Sequence, residues 1–284
     1  MIEPVMKKVR GDGIDIQVAI WEGKGKTILC VHGLTANSRS WDGVASSVAP
    51  RHKVIAMDLR GRGLSGAPPS GYSLEQHCRD LLALMDNLGL KNTVLMGHSL
   101  GAFISLAFAA QYPDRVSQLI LVDGAGKLNQ EQVAKLLAGI KPFVDRLGQV
   151  FPTFDSYVSY LRQAPFMQPW NASIENYFRY EVEQVPGGLQ SRVHPDHIAE
   201  EIRNFGKVDV SELYPCVKCP TLILRATEGM LTDDDQVLQR DVAERMVREI
   251  PRARCVDLEG ANHYSILFQP NEKRDQLLLE FLEE

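Results

Sequence analysis

The stretch Thr93-Val94-Leu95-Met96-Gly97-His98-Ser99-Leu100-Gly101-Ala102-Phe103-Ile104-Ser105-Leu106-Ala107-Phe108-Ala109-Ala110 decides the fold. An apolar, β-rich run ends in Gly-x-Ser-x-Gly and passes directly into an apolar helical pattern. It reads as strand, sharp turn and helix, with a serine at the apex. The glycines are needed because the turn is too tight for side chains near the backbone, and the strain pushes the serine hydroxyl up into a cleft. The helix starting behind it aims backbone N–H groups and the positive end of its dipole at the same spot. A tetrahedral oxyanion would form there.

Outward from this turn, Val5 to Val9 and Ile14 to Trp21 are separated by Gly11-Asp12-Gly13 and read as an antiparallel hairpin at a sheet edge. Short apolar runs follow at Thr27 to Val31, Lys53 to Met57, Asn92 to Met96, Val116 to Val122, Pro220 to Leu224 and Ala253 to Leu258. Helical patterns at Trp41 to Val48, Leu74 to Leu88, Leu100 to Gln111, Gln236 to Ile250 and Asn271 to Leu282 lie between or after them. Strands without polar interruption, alternating with helices, predict an α/β fold with a doubly wound, mostly parallel sheet covered on both faces.

The alternation stops between Gly126 and Leu213, where helical periodicity, prolines and aromatics occur without a convincing strand. Residues 1–125 and 214–284 are therefore expected to form the core, and 126–213 a helical lid over the carboxyl ends of the strands, where such folds bind ligands. Tyr157, Tyr160, Phe166, Trp170, Tyr177, Phe178 and Tyr180 crowd into this segment. Most are expected to form its own small core, and some to line a substrate pocket.

The 284 residues are 44% hydrophobic and 24% charged, enough apolar material for a large buried core and against disorder. A net charge of −5, without a run of Lys and Arg, argues against a nucleic-acid surface. No segment reads as a signal peptide or a membrane span, so the expected setting is cytoplasmic, with a small-molecule substrate as partner, no nucleic acid and no membrane. Oligomeric state leaves no trace in the sequence. Five cysteines, an odd number, favour reduced thiols. Cys216 and Cys219 form a lone Cys-x-x-Cys that lacks the second pair of ligands a zinc site would need.

His32-Gly33-Leu34 closes the strand Thr27 to Val31, and the N–H of Leu34 can join that of Leu100 in a two-donor oxyanion hole. His263, in the loop Gly260-Ala261-Asn262-His263-Tyr264 after the last strand, can reach across to the elbow and serve as general base. His32 and His98 are expected to brace their loops. His52, His77, His194 and His197 sit where surface or packing roles suit them better.

In order and spacing, His32-Gly33, Asp58-Leu59-Arg60-Gly61-Arg62-Gly63-Leu64-Ser65, Gly97-His98-Ser99-Leu100-Gly101 and Gly260-Ala261-Asn262-His263 resemble the successive motifs of the α/β-hydrolases that bear a lid. The resemblance covers the whole chain apart from the lid and implies a Ser-His-acid triad. The acid departs from the pattern. Family members usually carry Gly-x-x-Asp after the strand represented by Pro220 to Leu224, and this chain has Ala226-Thr227-Glu228-Gly229. Asp123, at the end of the strand Val116 to Val122, is the expected replacement, an arrangement that some family members share. Glu228, one residue off register, is the alternative. Asp233, Asp234 and Asp235 are expected to cap the next helix.

A serine at the elbow disfavours chemistry that needs a carboxylate nucleophile and leaves acyl transfer to water. The expected activity is a serine carboxylesterase acting through an acyl-enzyme, with no cofactor and no metal. A lactone, an activated amide and the C–C bond of a ring-fission diketone are alternative substrates for the same machinery. A ligand-binding module on this fold is the alternative outside catalysis.

Overall fold

A computed structural model of the chain describes residues 2–284. The apolar runs pair into one eight-stranded sheet. Its strands are β1 (Val5–Arg10), β2 (Asp15–Trp21), β3 (Thr27–Val31), β4 (Lys53–Met57), β5 (Thr93–His98), β6 (Val116–Val122), β9 (Thr221–Ala226) and β10 (Ala253–Leu258), in the order β1-β2-β4-β3-β5-β6-β9-β10. β2 runs antiparallel to β1 and β4, and all other pairings are parallel. Val31 lies opposite Gly97 and His98 opposite Val122, so β3, β5 and β6 end level with one another at the centre of the sheet.

Because side chains alternate across a strand, each central strand feeds two cores. Leu29, Leu95, Leu119 and Ile223 point to the face covered by α2 (Leu74–Asn87), α3 (Leu100–Gln111) and α8 (Arg240–Glu249). Cys30, Met96, Ile120 and Leu222 point to the face covered by α1 (Asp42–Val48) and α10 (Glu272–Glu283). α3 is buried from Leu100 to Ala109, which is why its sequence is apolar all round.

Between β6 and β9 the chain builds α4 (Gln130–Asp145), α5 (Phe154–Gln163), α6 (Ala172–Glu181) and α7 (Pro195–Phe205). Their own cluster contains Tyr157, Phe166, Tyr177 and Phe178, whereas Tyr160 is exposed. Contrary to the strand-free expectation, the segment also holds an antiparallel hairpin of β7 (Val182–Val185) and β8 (Gly188–Ser191). Strands of four residues are too short for alternation to register in sequence. The hairpin is set by backbone proximity: a Cβ on Gly188 would lie 2.0 Å from the Phe151 carbonyl oxygen, and Phe151 and Leu189 exchange two 2.8 Å backbone hydrogen bonds.

Two boundaries also differ. β5 continues through Gly97 to His98, two residues past the expected end. α8 begins at Arg240, not Gln236, because residues 229–235 close into a loop on Asp235, whose carboxylate accepts from Met230 N (2.6 Å) and Leu231 N (2.8 Å). Asp233, Asp234 and Asp235 therefore cap no helix; Gln239 occupies the N-cap of α8. The five cysteines are free, and no helix among the described residues is long and apolar enough to cross a membrane.

Candidate active site

Ser99 follows β5 and precedes α3 with φ 54° and ψ −123°, a strained conformation for a residue with a side chain. The two flanking glycines are sterically required. A Cβ on Gly97 would sit 2.1 Å from the Gly101 carbonyl oxygen, and one on Gly101 would sit 2.0 Å from that of Val31. The turn is tied to its neighbour strand by Ser99 N donating to Val122 O at 3.1 Å.

Asp123 is the next residue along that neighbour strand and is fully buried, with φ 44°. Its Oδ1 accepts from Ala226 N at 3.1 Å, and its Oδ2 lies 2.7 Å from His263 Nδ1. A carboxylate only accepts, so Nδ1 holds the ring proton and Nε2 is left as the acceptor. The His263 loop is fixed on its other sides as well. Asn262 Oδ1 accepts from Tyr264 N (2.9 Å) and Ser265 N (2.8 Å), and His98 Nε2 donates to the His263 carbonyl at 2.9 Å. Burial holds the His98 imidazole neutral, well below the ordinary histidine range.

Glu228, the alternative acid, is not brought to the imidazole. Its side chain is exposed, and only its backbone N–H meets the His263 loop, at the Ala261 carbonyl (2.9 Å). The neighbouring position could not easily hold a carboxylate in this backbone, since a Cβ on Gly229 would come 1.8 Å from the Thr232 carbonyl oxygen.

Leu100 opens α3, so its N–H is one of the amides a helix leaves without an intrahelical partner. Leu34 is oriented through the carbonyls around it. Leu59 N donates to His32 Nε2 (3.0 Å), which leaves Nδ1–H to donate to the Gly33 carbonyl (2.8 Å). In a trans peptide this anchored carbonyl turns the Leu34 N–H the opposite way. The Leu34 carbonyl in turn accepts from Arg62 Nε at 3.0 Å. Burial lowers the pKa of His32 to about 3, so it stays a neutral brace.

The sequence did not reveal the partners of Arg62. Its Nη2 lies 3.0 Å from Glu201 Oε2 on α7, and His77 Nε2 lies 2.8 Å from the same oxygen. Burial raises the Glu201 pKa, but His77 and Arg62 outweigh it and hold the carboxyl at about 2. A faint signal existed: Glu201 falls between Ile198 and Phe205 at helical spacing, a charge within an apolar stripe. The other histidines take supporting positions. His52 Nδ1 accepts from Lys26 N, His194 caps α7, and His197 stacks on Tyr72 with centroids 4.3 Å apart.

Two cavities meet at Ser99. The larger, about 610 Å³, runs from Leu34, Ser99 and Leu100 between α4 and α7, past Leu136, Ile140 and Phe205. Its walls are mainly aliphatic, not the expected aromatics of the inserted segment. The smaller, about 50 Å³, lies on the side of His98, His263 and Tyr264, and Tyr177 is the one expected aromatic that reaches it.

Residues 26–270 match the sequence profile of the alpha/beta hydrolase fold. The chain belongs to that family. Across 243 residues it is 29% identical to a 2-(acetamidomethylene)succinate hydrolase of Mesorhizobium japonicum, covering 86% of this chain and 83% of the relative. It is 26% identical over 261 residues to an N-formylmaleamate deformylase of Pseudomonas putida, covering 90% and 88% of the two chains. The solved structure of an E-2-(acetamidomethylene)succinate hydrolase superposes with a TM-score of 0.85 at 26% identity, covering 99% of this chain and 100% of that one. Like these relatives, this alpha/beta hydrolase fold protein is a hydrolase.

Proposed function

We propose that this hydrolase cleaves a small, largely apolar carboxylic ester through an acyl-enzyme on Ser99. The observation that carries the reading is the buried 2.7 Å contact between Asp123 Oδ2 and His263 Nδ1, beside a serine held in a strained elbow. His263 Nε2 takes the Ser99 proton as Oγ bonds to the acyl carbon, and the N–H groups of Leu34 and Leu100 stabilise the oxyanion. Collapse breaks the bond to the leaving oxygen, which receives the proton from His263. Water then repeats the sequence, releasing the acid and restoring Ser99. Asp123 holds the imidazole tautomer and stabilises the imidazolium. Residues 126–213 serve as the lid that encloses the substrate.

The apolar walls support an ester of a hydrocarbon acid over a dicarboxylate of the kind the Mesorhizobium relative's name describes. The cations at the larger cavity, Lys127 and Lys207, are already engaged, by Asp209 and by Asn204 Oδ1. The relatives' names favour a second reading, hydrolysis of an activated amide by the same residues. A fluorophosphonate probe should label the wild type and not Ser99→Ala. Turnover of methyl butanoate, followed by acid release and compared with N-acyl, lactone and ring-fission diketone substrates, then tests the ester reading. Persistent labelling of Ser99→Ala would remove Ser99 from its role, and faster amide than ester turnover would favour the second reading.

A further inference from the structure

The two cavities flanking Ser99 are not equivalent, and the difference assigns the two halves of the substrate. This inference rests on the ester reading above. In the tetrahedral intermediate three directions lead away from the carbon bonded to Ser99 Oγ. The oxyanion faces the Leu34 and Leu100 amides. The leaving oxygen must lie against His263, because His263 Nε2–H gives it a proton as the acyl C–O bond breaks. The acyl substituent takes the direction that remains. His263 lines the small cavity and is not a wall of the large one, whereas Leu100 lines the large cavity and not the small one.

We propose that the small cavity receives the leaving group and the large one the acyl chain, so that the preferred substrates are medium-chain or similarly bulky apolar acyl esters of a very small alcohol. Size makes the assignment restrictive. A space of about 50 Å³ has room for roughly four water-sized groups, enough for an alkoxy group of up to about three carbons and too little for a longer chain. Opposite the loop of Gly33 to Ala36 its walls are packed side chains: Tyr264 stacks on Phe143 with centroids 4.7 Å apart, and Leu267 and Phe268 of the short helix α9 (Ser265–Phe268) are buried beside it. The large cavity, about 610 Å³, is of ordinary size for a small-molecule site. Its aliphatic lining from α4 and α7 suits a hydrocarbon chain of several carbons.

The test is a pair of isomeric esters that differ only in which side of the carbonyl carries the chain. Methyl octanoate places seven carbons on the acyl side, and heptyl acetate places the same seven on the leaving side. The wild-type enzyme should cleave methyl octanoate with a kcat/KM higher by about a hundredfold, the scale on which a pocket rejects a group too large for it. Leu267→Ala, which enlarges only the small cavity, should raise the ratio of butyl octanoate to methyl octanoate turnover by about tenfold. Equal or faster cleavage of heptyl acetate by the wild type would overturn the assignment while leaving the ester reading intact. Cleavage of neither isomer would overturn the ester reading, and this assignment with it.

Discussion

Arg62 and Glu201 form a fully buried ion pair, 3.0 Å between Nη2 and Oε2, that bolts helix α7 of the inserted segment to the turn after β4. Removing one partner leaves the other as an uncompensated buried charge, which typically costs about 3–5 kcal/mol. Glu201→Ala is therefore expected to lower the unfolding free energy by about that amount in urea titrations. Replacing both residues at once, as Arg62→Met with Glu201→Leu, should cost clearly less, because the guanidinium is no longer stranded; His77 loses its Glu201 partner in both variants, so that loss cancels from the comparison.

Asp123→Asn should lower kcat by ~10²–10⁴-fold with little change in KM, since the amide supports the wrong imidazole tautomer but leaves both cavities unaltered. Glu228→Gln should stay close to wild type, as the exposed carboxylate makes no contact with His263. Steady-state kinetics of acid release from one methyl ester decides between the two carboxylates. An inactive Glu228→Gln beside an active Asp123→Asn would reverse the assignment.

Stability should decline with acidification in two windows. Burial keeps His32 neutral down to about 3. An unfolded chain takes up that proton near pH 6.5, so the contribution is complete above 6.5 and is lost as pH falls towards 3, at up to about 1.4 kcal/mol per pH unit. Glu201, held at about 2, adds a contribution that is present above about 4.5 and lost as pH falls further. Urea midpoints measured at half-unit intervals should be flat from pH 7 to 8 and fall below 6.5. In Glu201→Gln the part of the slope below pH 4.5 should be shallower.

Gly97→Ala and Gly101→Ala are each expected to give insoluble or severely destabilised protein. The new methyl would meet a backbone oxygen at 2.1 Å or 2.0 Å, and neither oxygen belongs to a side chain that can swing away. Gly13→Ala is a useful contrast. Its Cβ would meet nothing within 4 Å, so only the positive φ of 77° opposes it, and soluble, folded protein should result. Soluble yield and thermal midpoints check all three.

What could be read in the sequence was local. Each core strand is an uninterrupted aliphatic run, and the Gly97 to Gly101 elbow announces its own turn, so the sheet and the position of Ser99 followed from short windows. Asp123 was legible because a strand end next to the elbow strand is a matter of strand order. The hairpin Val182–Ser191 was missed because it is held by the backbone of Phe151, and Arg62 with Glu201 because the partners are 139 residues apart in sequence. The start of α8 was missed because Asp235 folds back on Met230 and Leu231 before any helix begins.

With the carboxylate at Asp123, just after β6, the loop after β9 offers His263 no acidic side chain and meets the histidine loop through Glu228 N, which donates to the Ala261 carbonyl, and Thr227 Oγ1, which accepts from Gly260 N. Met230 and Val237 go into the aromatic cluster of the inserted segment, so under the proposed assignment a change at residues 230–239 shifts a door and leaves the triad carboxylate in place. On that proposal, natural drift or a protein engineer would edit residues 230–239 to retune which molecules are admitted. Under the same proposed assignment, a classification that judges activity by the residue at 229 would file a competent hydrolase among the inert members of its fold.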